Sequence, residues 1–220
     1  MLENFFCQSA EFTRAVTSFK PSKEYKNIPL ISYVRDGETL FHSFIKKVPI
    51  SAGRTLLAAQ GVPLVDFLKR IKREFESVRY ENLPQQLVHF DLHPGNVHFD
   101  GNRVVGLFDF DWVRFDCRIT DIAATIGQSC YIYGGEQSGL YVKERITSGL
   151  KAYRKVYGES EFTEVAENRL VRVALQGYMF FQLLWAINWY AENSDNGEGL
   201  YVLKHFINVC LINDYEKLFS

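Results

Sequence analysis

The sequence predicts an α+β fold that is mostly α, with its few strands gathered around one short polar segment. Three observations support this. Residues 63–78 carry Leu64, Phe67, Leu68, Ile71, Phe75 and Val78 as one apolar stripe at helical spacing, with Lys69, Arg70, Lys72 and Arg73 on the wet face. Residues 137–156, 164–191 and 200–219 read as three further helices, so the last two-fifths of the chain is helical. Period-two alternation appears at 97–99 and 103–108, on either side of an Asp-Gly turn signal at Asp100-Gly101.

Taken in order, Leu2, Phe5, Phe6, Phe12, Val16 and Phe19 predict an amphipathic helix over 2–19. Pro21 and Pro29 bracket a polar connection. Apolar runs at 30–34 and 39–45 flank Arg35-Asp36-Gly37-Glu38, which reads as a second hairpin. Residues 51–60 read as a short helix ended by Gly61 and separate from the helix at 63–78. Val88 leads, on a short strand, into His89-Phe90-Asp91, and Asn96 follows five residues after Asp91. Beyond the hairpin, 121–133 reads as a helix closed by Gly134-Gly135.

Composition narrows the partners. A chain of 220 residues with 47% hydrophobic content makes one or at most two domains. A formal net charge of −1 with interspersed signs argues against a nucleic-acid or membrane-surface partner recognised by bulk charge. No uninterrupted run of eighteen apolar residues is present, and Glu3, Glu11 and Arg14 break up the N-terminal stretch, so neither a membrane span nor a signal peptide is expected. Cys7, Cys117, Cys130 and Cys210 are widely spaced, without a C-x-x-C pair. Free thiols in a reducing cytosol are the expectation.

The chemistry concentrates in residues 87–111, LVHFDLHPGNVHFDGNRVVGLFDFD. If Phe99 and Arg103 flank the turn, Asn96 lies opposite Gly106, and Asp109 sits about three residues, on the order of 10 Å, beyond it. A carboxylate, a carboxamide and a second carboxylate can then converge. Phosphoryl transfer from a nucleotide needs such a set: a base for the attacking hydroxyl, and oxygen ligands for Mg²⁺ on the phosphates. Turn-forming and capping roles explain Asp100 and Asn102 well. They leave unexplained the polar groups at the ends of apolar strands, where burial is costly without partners.

The pattern His89-x-Asp91-x-x-x-x-Asn96 followed by Asp109-Phe110-Asp111 resembles the catalytic core of the aminoglycoside phosphotransferase/choline kinase family, kin of the protein kinases. His93-Pro94-Gly95 and Thr120-Asp121-Ile122-Ala123 match it too. The resemblance implies a protein-kinase-like C-terminal lobe using ATP and Mg²⁺. It makes His89 and Asp91 catalytic, Asn96, Asp109 and Asp111 metal-binding, and Asp121 a brace on the loop amides. It implies a small-molecule hydroxyl or amino acceptor, such as an amino sugar, an amino alcohol or a homoserine-like metabolite. It covers residues 61–220 well and the helix-and-hairpin extension at 1–60 poorly. No Gly-rich phosphate loop or strand-borne Lys precedes residue 95, so the N-terminal lobe is expected in cis beyond this sequence or on another chain. A non-catalytic binding module remains the other reading, while the lack of an Ala-Pro-Glu segment after Asp111 disfavours a protein kinase. Two features bear on the acceptor. Phe180, Phe181, Trp185, Trp189 and Tyr190 read as core packing or as a cage for a quaternary ammonium. Glu192, Asp195 and Glu198 read as acids for a cationic substrate or as plain turn residues.

Overall fold

The computed structural model describes residues 1–20, 27–135, 137–158, 160–194 and 197–220. In chain order the elements are α1 (Leu2–Ala15), α2 (Leu30–Arg35), α3 (Gly37–Lys47), α4 (Ala52–Ser77), β1 (Gln85–Val88), β2 (Val97–Asp100), β3 (Arg103–Leu107) and β4 (Arg114–Cys117). Then follow α5 (Ile119–Ser129), α6 (Lys143–Tyr157), α7 (Glu164–Glu192), α8 (Gly197–Ile212) and α9 (Tyr215–Leu218). The fold is mostly helical, with two small antiparallel ribbons, β1–β4 and β2–β3.

The central element is α7. Thr163 caps it through Oγ1, which accepts from Ala166 N, and almost every side chain from Leu170 to Ile187 is buried. By length and hydropathy it could cross a membrane, yet 89% of its most apolar window is buried inside the protein. Against it pack α2, α3, α4, α5 and α8. One hydrophobic core takes Phe6, Leu30, Phe41 and Leu57 from the first sixty residues together with Leu64, Val88, Ile122 and Leu203. A satellite cluster of Phe5, Leu92 and Val97, backed by Phe99, Val104 and Leu107, seats the β2–β3 ribbon on α1.

Two expectations are corrected. Residues 30–47 form two helices, not a hairpin. Phe41, Phe44 and Ile45 follow helical spacing, and Asp36 (φ −93°, ψ 5°) links the C-terminus of α2 to the start of α3. Gly37 is there for close packing, because a Cβ would stand 2.8 Å from the Phe180 ring. Residues 52–77 form one helix through Pro63. Ala59, whose carbonyl loses its partner to the proline, is exposed and can be solvated.

Candidate active site

The site begins at β1. After Val88 the backbone turns sharply, with Phe90 at φ +69°, a left-handed conformation that costs a side-chain-bearing residue on the order of 1–3 kcal/mol. Three anchors hold that turn. Asp121, on the first turn of α5 and fully buried, accepts His89 N at 3.0 Å and Phe90 N at 2.8 Å, one on each carboxylate oxygen. The Phe90 ring lies 5.4 Å from Tyr178 and 5.0 Å from Phe181. The Arg114 guanidinium sits 3.4 Å from the centre of that ring. Burial raises the Asp121 carboxyl to about 7; the two loop amides and Arg114 pull the other way, with Asp116 adding to the rise.

The loop delivers Asp91 half-buried and oriented. Asn96 Nδ2 donates to Asp91 O at 2.9 Å and to Asp91 Oδ2 at 3.2 Å. His93 Nδ1 accepts Gly95 N at 3.0 Å, which leaves the ring proton on Nε2, 3.7 Å from the same Asp91 oxygen. Gly95 permits this arrangement, because a Cβ there would lie 2.8 Å from the His93 ring. Among the described residues Asp91 Oδ1 and Asn96 Oδ1 have no hydrogen-bond partner, so one oxygen of each is free for other groups.

The ribbon brings Asp109 closer than the sequence reading placed it. The turn is the two-residue Gly101-Asn102, and a bulge between His98 and Phe99 shifts the register, giving Val97↔Leu107 and His98↔Gly106. Phe108 N donates to Asn96 O at 2.9 Å, so Asn96 lies opposite Phe108 rather than Gly106, and Asp109 is the next residue. Asp109 adopts φ +56° and lines the same cavity as Asp91. Asp111 is exposed and outside that lining. His89 faces no open space: it is fully buried against Phe12 and Phe110, and its Nε2–H donates to Phe108 O at 2.9 Å, tying the loop to the end of β3. Burial lowers its pKa and keeps it neutral. His89, expected to be catalytic, lies outside the lining of the cavity that Asp91 and Asp109 share.

The donor set fits a divalent cation shared with phosphates. Asn96 Oδ1 and Asp109 are hard oxygen donors, whereas no cluster of three His, Cys, Asp or Glu side chains able to cage an ion alone occurs among the described residues.

From Asp91 the cavity, about 430 Å³, runs between α5, α7 and α8. Sequence reasoning singled out Phe181 and Trp185, which line it, but missed Gln128, Tyr131, Gln182 and His205. Phe180 and Tyr190 belong to the core. Trp189 lies one turn beyond Trp185, stacked on it at 6.0 Å and outside the lining. Glu192 is exposed, bonded to Asn188 Nδ2 at 3.3 Å, and likewise outside; Asp195 lies outside the described residues. Arg114 and Asp116 also went unread. Asp116 accepts Leu30 N at 2.6 Å and so anchors the start of α2 to β4.

Among known proteins, several homoserine kinases are similar in sequence. That of Sinorhizobium fredii is 37% identical over 81 residues, 36% of this chain and 24% of its own length. That of Nitrobacter hamburgensis is 30% identical over 125 residues, 57% of this chain and 37% of its own. The matches thus span about a quarter to a little over a third of those relatives. Several solved structures share the fold at low identity. A choline/ethanolamine kinase family protein from Mesorhizobium loti aligns with a TM-score of 0.64 and 12% identity over 97% of this chain and 64% of its own. Amicoumacin kinase in complex with AMP-PNP, Ca²⁺ and Ami aligns with a TM-score of 0.65 and 15% identity over 99% and 62%. The profile of the phosphotransferase enzyme family matches residues 47–158, a little over half of the chain and the whole of the loop, ribbon and brace. This chain belongs to that family.

Proposed function

We propose that this chain is the catalytic and acceptor-binding lobe of an ATP- and Mg²⁺-dependent phosphotransferase acting on a small-molecule hydroxyl. The observation behind this reading is that Asp91 and Asp109 meet at one end of an aromatic cavity with Asn96 bonded to Asp91, one oxygen of Asp91 and one of Asn96 being unpaired among the described residues. Asp91 Oδ1 receives the acceptor hydroxyl and takes its proton as the oxygen attacks the γ-phosphorus. Asn96 Nδ2 donates to the other carboxylate oxygen, with His93 Nε2 3.7 Å from it, so the base keeps one orientation. Asn96 Oδ1 and Asp109 would hold Mg²⁺, which when bound neutralises charge on the phosphates.

Phe108 and Phe110, 52% and 50% exposed, flank Asp109 in the sequence and leave apolar surface open to solvent. We assign it to the nucleotide base or to a further segment of the whole protein. The reaction belongs in the cytosol, where ATP is present and the four free cysteines stay reduced.

The test is ³¹P NMR of the full-length protein with MgATP and a panel of hydroxyl-bearing metabolites. The expected result is ADP and a phosphomonoester, formed at least about a hundredfold more slowly by Asp91→Asn. Equal rates in the two proteins, or binding of a metabolite with no phosphoester under any condition, contradict the reading.

A further inference from the structure

Beyond Asp91 the cavity has aromatic walls and carries almost no charge. Trp112, Tyr131, Phe181, Trp185 and Tyr201 form much of its surface, and its described lining holds no Lys or Arg and no carboxylate besides Asp91 and Asp109. His93 stands beside Asp91 at the mouth, and deeper in the cavity the polar side chains include two amides and an imidazole. Gln128 and Gln182 both donate to the buried Tyr178 hydroxyl, at 3.2 Å and 2.6 Å, which leaves their carbonyl oxygens available to a ligand.

His205, on α8, is 4% exposed and lines the same cavity, its ring 4.6 Å from Tyr131 and 5.1 Å from Phe206. Its Nδ1 lies 3.1 Å from Ser138 Oγ, which also accepts Gly134 N at 3.3 Å. The pattern that satisfies most groups has the Ser138 hydroxyl donating to Nδ1, so the ring proton resides on Nε2. That atom is buried and has no partner among the described residues. Burial lowers the ring's pKa to about 4, so it is neutral near pH 7. An orphaned buried donor is destabilising, and a ligand oxygen would remove the deficit.

We propose that this cavity takes an uncharged acceptor with a flat or apolar body, whose reacting hydroxyl meets Asp91 and whose second, uncharged oxygen accepts from His205 Nε2. The inference rests on the phosphotransferase reading and narrows its acceptor class. An amino acid acceptor would bury its carboxylate without a cation. A polycationic amino sugar would find only the two carboxylates already committed to the transfer. Either loses hydration without an ionic partner, whereas a ring stacked on Tyr131, Trp185 or Tyr201 gains from burial and ring geometry.

The experiment is calorimetric titration of the protein, without nucleotide, using tyrosol as probe because it carries an alcohol at one end and a phenol oxygen at the other. The controls are 2-phenylethanol, which lacks the phenol oxygen, homoserine and kanamycin. Tyrosol is expected to bind at least about tenfold tighter than each control, a difference of about 1.4 kcal/mol. His205→Asn keeps an amide near Ser138 but cannot reach the ligand. It should weaken tyrosol about tenfold and leave 2-phenylethanol unchanged. His205→Gln places its amide where Nε2 stood and should retain tyrosol. The proposal is overturned if tyrosol does not bind, if homoserine or kanamycin binds tighter, or if Gln loses binding that Asn keeps, which would mark His205 as a support for Ser138 alone. Because no phosphoryl transfer is read, these outcomes are independent of the ³¹P assay: failure here leaves phosphotransfer standing, and absence of phosphoester leaves the binding result intact.

Discussion

Asp121→Asn is the perturbation that best isolates the link between the buried Asp121 and the loop that carries Asp91. The carboxylate accepts His89 N and Phe90 N, and burial raises its carboxyl to about 7 in the folded protein against about 4 in an unfolded chain. Between those values the folded state holds a proton that the unfolded chain has released. Stability due to this group is therefore fully present below pH 4, declines as pH rises towards 7, and is level above. The span is about three pH units, on the order of 4 kcal/mol. In Asp121→Asn the side chain does not titrate, so this component vanishes. One amide hydrogen then faces a backbone N–H, leaving a buried donor unpaired at a cost of about 1–3 kcal/mol. His89 and His205, whose pKa values are lowered by burial, act oppositely: their stability is present above the unfolded histidine value and lost as pH falls. The diagnostic quantity is thus the difference between variant and parent. Urea denaturation at pH 5, 6, 7 and 8 should show the parent's advantage over the variant shrinking as pH rises. Two stability curves that run parallel across that range would refute the reasoning.

Three further outcomes follow from packing and geometry. Gly95→Ala brings a methyl 2.8 Å from the His93 ring, which must leave its place beside Asp91; turnover should fall about tenfold with under about 1 kcal/mol change in denaturation free energy. Glu167→Ala removes the buried carboxylate that meets Arg118 at 2.9 Å and Arg154 at 2.6 Å, and denaturation should report a loss of about 3–5 kcal/mol without a specific change in nucleotide affinity. Gly149→Ala places a Cβ 2.5 Å from the Phe6 ring and forces α1 off α6. A loss of about 1–3 kcal/mol is expected, with faster hydrogen exchange in α1 ahead of α7.

Local rules made the ribbon legible: alternation around Asp100-Gly101 is a short-range signal, and β2–β3 forms where it predicts. The same rule misled at Asp36-Gly37, where the apolar residues on either side fit a helix face and the glycine admits Phe180. Register was out of reach because a two-residue turn and a bulge each move the pairing, and only the folded chain shows Asn96 beside Phe108. Asp91, Asn96 and Asp109 could be found because their spacing lies within one supersecondary unit. The cavity could not. Gln128, Gln182 and His205 come from three helices far apart in sequence, and each looks like an ordinary polar residue on its own helix. A single histidine on α8, one turn after Tyr201 and Val202, was the available signal, and it gains meaning only with Ser138 and Tyr131 in contact. Arg114 and Asp116 were hidden for the same reason, since β4 is too short for alternation to mark it.

In the proposed reaction Asp91 handles the acceptor's proton while Asn96 and Asp109 face the metal on the nucleotide. The most direct measurement is AMP-PNP affinity as a function of Mg²⁺ concentration for the parent, Asp91→Asn and Asp109→Asn. Asp91→Asn is expected to bind nucleotide with the parent's Mg²⁺ dependence, while Asp109→Asn binds weakly and needs more Mg²⁺. Unchanged Mg²⁺ dependence in Asp109→Asn, with the deficit appearing in Asp91→Asn instead, would contradict it.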